Sequence, residues 1–104
     1  MLRNSLIYRA PIDNIPIPDQ FKLILSYVRL FGCDRLCIMG NRRVVKYKYS
    51  NAEFVEERSL ILWVDIRSKT MTVFDGGEIE LETVENKILN GDFKIEGDVL
   101  VVDV

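Results

Sequence analysis

Two periodicities divide the chain. In "DQFKLILSYVRLFG" (19–32), Phe21, Ile24, Leu25, Val28 and Phe31 follow the i, i+3, i+4 spacing of one helical face. Asp19 suits a helix start and Gly32 a helix end, so the pattern predicts one long helix over about 19–31. Leu23, Tyr27 and Leu30 widen its apolar stripe, which predicts a well-buried helix.

After Gly32 the period becomes two. "RLCIM" (35–39) reads as a buried strand, "GN" (40–41) as a turn, and "RRVVKYKYS" (42–50) and "SLILWVDIR" (59–67) as strands joined by the loop "NAEFVEER". "TMTVFD" (70–75) follows the two residues Ser68 and Lys69, and "EIELET" (78–83) follows Gly76 and Gly77, so both connections predict hairpins. A short helix is expected near 84–90 with Thr83 as its cap, and "DFKIEGDVLVVDV" reads as a closing hairpin around Gly97 and Asp98. Before the helix, "SLIYR" (5–9) reads as a strand. "PIDNIPIP" (11–18) holds all three prolines and reads as an extended strap laying Ile12, Ile15 and Ile17 on the core.

The sum is an α+β fold in a single domain, 1–104. It has a mainly antiparallel sheet of about five to seven strands, one long helix on one face, and a short helix near its C-terminal end.

Alternation then assigns faces. Arg43, Val45, Tyr47 and Tyr49 point one way, and Arg42, Val44, Lys46 and Lys48 the other, so tyrosines and lysines do not share a surface. The mostly apolar tyrosine set is expected on the core and the lysines on the opposite face. A two-residue turn at Ser68–Lys69 would set Trp63 opposite Phe74 with Ile61 alongside. Pairing Tyr47 with Leu62 would bring Lys46 beside Trp63. The expected second face is therefore Lys46, Lys48, Ile61, Trp63 and Phe74, and one helix cannot cover both faces of such a sheet. Phe54, apolar within an acidic loop, is either a plug on the core or a contact residue.

Composition changes this picture little. With 48% hydrophobic and 29% charged residues the chain is that of a folded protein. No apolar run is long enough to span a bilayer or serve as a signal peptide, so a cytoplasmic location without membrane contact is expected. Net charge is −2, yet residues 1–52 carry nine Lys/Arg against three Asp/Glu, and residues 53–104 carry five against thirteen. That asymmetry suits either neutralisation across the sheet or a polar partner surface. A single glutamine and abundant Ile, Val, Glu and Arg point towards a thermophilic source. Cys33 and Cys37 read as buried thiols, with an intrachain bridge as the alternative in such a source.

Chemistry has little to work with. The absence of histidine removes the commonest general base and its nucleophile pairs, and leaves the C-x3-C spacing short of zinc ligands. "DGG" (75–77) reads as a turn, not a phosphate loop. Glu78, Glu80 and Glu82 on one strand face would hold a hard cation, or more simply form a solvated edge. Asp65 and Glu80 would make an acid–base pair only if folding joined them. No catalytic residue, metal ligand set or cofactor is assigned.

The expected function is a non-catalytic small binding module acting through protein–protein contact, of the self-association, adaptor or inhibitor type. Ile61, Trp63, Phe74, Lys46, Lys48 and Phe54 are its interface candidates, with a homodimer or tight heteromeric partner across that face. The alternative is a nucleic-acid-binding module using Arg42, Lys46, Lys48 and Trp63, although the RNP1-like pattern is absent. The third reading is a small acid- or metal-dependent enzyme.

Overall fold

The computed structural model describes residues 6–74 and 79–104, leaving aside the side chains of 6–8 and 42–44. It is a mixed, mostly sheet fold. Six strands among the described residues run in the order β1 (Leu6–Pro11), β4 (Thr70–Phe74), β3 (Asn51–Asp65), β2 (Arg35–Lys48), β6 (Val99–Asp103), β5 (Lys94–Glu96). All neighbours are antiparallel except β2 and β6, which run parallel. Two helices, α1 (Asp19–Leu30) and α2 (Leu81–Leu89), pack on one face of this sheet.

The helix expected over 19–31 is present but short, twelve residues, or about three turns. Pro18, not Asp19, occupies its N-cap position. Its end is a Schellman motif: Gly32, at φ 81°, donates to the Arg29 carbonyl, and Cys33 donates to that of Val28. Gly91 (φ 74°) ends α2 by the same pair of bonds, its own to Ile88 and that of Asp92 to Lys87. Phe21, Ile24 and Val28 are buried, whereas Leu23 and Leu30 face outward. The stripe is thus narrower than expected, and α1 is an amphipathic surface helix. Gln20 Nε2 donates to Glu85 Oε2 at 3.0 Å and ties it to α2.

The core lies between this helical layer and the sheet. Leu36, Ile38, Leu62, Val64, Met71, Leu100 and Val102 meet Phe21, Ile24, Val28, Val84 and Ile88. The proline strap lays Ile12, Ile15 and Ile17 on the core as expected, but it is not extended throughout: Pro11 closes β1 and Ile12–Asn14 form a 3-10 turn. The closing hairpin is β5–β6, turning at Gly97.

Three sequence expectations are corrected. Gly40 and Asn41 are not a turn: β2 runs straight through them, and "NAEFVEER" is strand, so β2 and β3 form one hairpin of fourteen and fifteen residues. It turns at Tyr49 and Ser50 instead. Second, Ser68–Lys69 is part of a four-residue turn, Ile66 to Lys69. The Asp65 Oδ1 accepts the N–H groups of Arg67 (3.1 Å) and Ser68 (3.2 Å), and Ile66 is drawn onto the core. Third, "EIELET" is no strand where it is described: Glu80 is the N-cap of α2, which starts at Leu81, two residues before the expected cap Thr83. Asp75 to Glu78, with "DGG", lie outside the described residues.

The long hairpin shapes the molecule. Residues 41–58 have no strand neighbour beyond each other among the described residues. This ribbon gives extents of 51 × 30 × 25 Å and a radius of gyration of 15.1 Å, against about 13 Å for a compact chain of this length.

Candidate functional site

The two helices cover one face of the sheet, and the other carries no described helix. A single row crosses all six strands on this open face: Arg9, Thr72, Trp63, Cys37, Val101 and Lys94 are register partners in turn. Trp63 is half-buried there, beside a pocket of about 190 Å³ lined by Arg9, Asp65, Ser68, Thr70 and Thr72. Arg9 Nε donates to Thr72 Oγ1 at 3.1 Å.

In the next row Arg35 and Asp65 pair at 3.5 Å. The Asp65 carboxyl is held below its usual value, chiefly by the Ser68 N–H; partial burial opposes this, and Arg35 and the Arg67 N–H add to it. Its role is to hold the β3–β4 turn and the sheet row together.

One bulge decides how this face continues into the ribbon. Ile38 pairs with Leu62 but Met39 with Leu60, so Ile61 is an extra residue on β3. Gly40 makes room for it, since a Cβ at 40 would collide with the Ile61 Cδ1. On β2 the alternation runs unbroken, so Cys37, Met39, Asn41, Val45 and Tyr47 share a face. Their partners across the ladder are Trp63, Leu60, Arg58, Phe54 and Ala52. The open face of the sheet and the aromatic face of the ribbon are therefore one surface.

Exposure rises along it. Phe54 is 65% exposed, Tyr47 81%, and Tyr49, in the turn, 96%. At its root Arg58 donates to Asn41 Oδ1 (2.8 Å) and to the Val104 carbonyl (3.4 Å) and pairs with Asp103, which anchors the ribbon to the end of β6.

The predicted candidates are thus sorted differently from expectation. Trp63 and Phe74 share the open face, but Trp63 stands opposite Thr72, and Phe74 lies two residues further along β4. Ile61 is buried over Gly40 and offers nothing to a partner. Lys46 pairs with Glu53 in register and with Glu57 through a 3.2 Å ion pair, on the opposite side of the ribbon from the tyrosines. It is not beside Trp63: nine residues separate it from Cys37, Trp63's partner, or about 30 Å of strand. Lys48 is exposed near the tip opposite Asn51, and the Arg42 side chain lies outside the described residues. Tyr47 and Tyr49 are the surface residues that sequence reasoning passed over as core. The signal was their place in an apolar/polar alternation, and its reading depended on β2 running on through Gly40 and Asn41, which puts Tyr47 on the face of Cys37.

The acidic candidates are not gathered. Glu80 and Glu82 sit at the start of α2 on the helical side of the sheet, and Asp65 on the other side. Glu80 instead accepts the Thr83 hydroxyl at 3.3 Å. Glu78 lies outside the described residues, and among those described no group of three His, Cys, Asp or Glu is placed to hold a metal. Cys33 and Cys37 are unbridged and buried. Burial, with Asp103 and Glu96 adding to it, pushes the Cys37 thiol up to about 11; burial also raises that of Cys33. Both are protonated and inert at neutral pH.

Among the described residues no helix is long and apolar enough to cross a membrane. No family model matches the chain, and no curated protein and no solved structure does.

Proposed function

We propose that this chain is a non-catalytic binding module that works through protein–protein contact, using the open sheet face and the ribbon of residues 41–58. The observation that carries this is the exposure of Tyr47, Tyr49 and Phe54 on a two-stranded ribbon whose aromatic side continues the face of Trp63. A two-stranded ribbon alone in water is marginal, and large aromatic side chains are the usual anchors of protein interfaces. A neighbour laid against that face supplies a layer that no described helix provides.

Nucleic acid fits the same surface less well. Stacking and phosphate contact need basic groups beside the aromatics that are not already paired with acids. Here Lys46 lies on the far side of the ribbon and pairs with Glu57, and Arg35 and Arg58 on the aromatic face pair with Asp65 and Asp103. Arg9 and Lys94 stand on the outer strands. A photo-cross-linking residue placed at position 47 tests the reading in an extract of the source cells. Adducts to protein are expected; adducts to nucleic acid, or none, overturn it.

A further inference from the structure

We infer that the occupant of this face is a second copy of the chain, bound face to face about a two-fold axis that runs along the hairpin between β2 and β3. The inference rests on the protein-contact reading above and names its partner. The β2–β3 line is the middle of the six-stranded sheet, with β4 and β1 on one side and β6 and β5 on the other. A two-fold along it lays the β2 of one protomer over the β3 of its partner, so every residue meets a copy of its own register partner. Self-complementarity can then be read directly from the ladder.

The ladder passes this test row by row. Trp63 is paired with Cys37, and Tyr47 with Ala52, so each large ring meets a small side chain across the axis. Val45 and Phe54 make an apolar row between them. Arg35 is paired with Asp65, so charge meets opposite charge in a ring of four. The other isologous stacking, with ribbons pointing in opposite directions, lays β2 over β2 and loses these matches. One mismatch remains: Arg9 on β1 would lie over Lys94 on β5, at the outer rim where solvent screens like charges.

The area suffices. Six strands at about 4.8 Å spacing and about 3.3 Å rise give the sheet a face on the order of 450 Å², and the ribbon adds roughly 250 Å². Accessible area exceeds such a flat footprint, which brings it to the ~800 Å² per partner of a standard stable interface. Two sheets stacked this way form a sandwich with the helices outside, the usual solution for a sheet with one bare face.

The experiment is light scattering on the full chain at micromolar concentration, with Tyr47→Asp/Phe54→Asp as the variant. Both side chains are exposed, so the variant keeps its core. The parent is expected at twice 12.1 kDa, and the variant as a folded monomer, its dissociation constant raised at least about 100-fold. The direction of stacking is read on a further chain, Ala52→Cys, with a short bis-maleimide. A two-fold along the hairpin brings the two copies of residue 52 within roughly 11 Å, so adducts are expected, whereas ribbons pointing in opposite directions hold them far apart. A parent that is monomeric, a dimer indifferent to the aspartates, or a dimer whose Ala52→Cys variant gives no adduct would overturn the inference. A monomeric parent that still cross-links another protein from position 47 overturns only the second copy. Failure of both measurements removes the protein-contact reading as well.

Discussion

Gly40 and Ile61 share one space across the β2–β3 ladder: the side chain of Ile61 occupies the position a Cβ at residue 40 would need. The bulge at Ile61 exists because this strand position has no side chain. Gly40→Ala is therefore expected to destabilise the fold by about 1–3 kcal/mol, the usual range for overpacking. Urea unfolding checks this. Adding Ile61→Val should return part of the loss, because the two residues are in contact and their effects will not add.

That pair also explains what was legible in the sequence. Elements set by local pattern are found where the pattern puts them. Phe21, Ile24 and Val28 mark α1, the prolines mark the strap, and Gly97 marks the closing turn. Gly40 and Asn41 look like a turn because glycine before asparagine is turn chemistry, and the competing reason for the glycine lies at Ile61, far along the chain. One extra residue on β3 then inverts the face of every later position on that strand. Lys46 is expected beside Trp63 for a different reason: reading Gly40 and Asn41 as a turn makes 42–50 a separate strand beside 59–67. Instead β2 runs on through them and carries both Lys46 and Tyr47 far out along the ribbon, with only Tyr47 on the face of Trp63. The shift of Trp63 from Phe74 to Thr72 has a similar origin, since the Asp65 carboxylate builds a longer turn than the two residues Ser68 and Lys69 suggest.

Within α1, the sides of the helix should respond differently to truncation. Ile24 is fully buried, and Ile24→Ala is expected to cost about 2–5 kcal/mol. Leu23 is 43% exposed, and Leu23→Ala should change stability by no more than about 0.5 kcal/mol. Chemical denaturation of both variants checks the contrast. Similar losses at both sites would place the helix in the wrong rotation.

Cys37 gives the protein an alkaline limit. Its thiol ionises near 9.0 when exposed and at about 11 in the fold. The folded state thus holds its proton more tightly. Stability from this source is complete below pH 9, and declines as pH rises from there towards 11, where the unfolded chain ionises first. Melting temperature measured from pH 7 to 10.5 should fall more steeply in the parent than in Cys37→Ala. Equal slopes would assign the decline to other groups.

Tyr49 turns the ribbon at φ 57°, a left-handed conformation that is uncommon for a bulky side chain and easy for glycine. A β-carbon in that region costs roughly 1–2 kcal/mol, which the turn bears for the sake of a ring that is 96% exposed. Tyr49→Gly should relieve that cost within the ribbon and leave the core unchanged. Tyr49→Ala keeps the β-carbon and should not. Hydrogen exchange of the ribbon amides, measured in the Tyr47→Asp/Phe54→Asp background so that association does not protect them, is expected to slow with glycine only. In the otherwise native chain the same Tyr49→Gly change should weaken partner binding, because the turn gains stability while the contact loses its ring. A glycine variant that binds at least as tightly as the parent would show that Tyr49 carries no contact and that its strain serves nothing at this face.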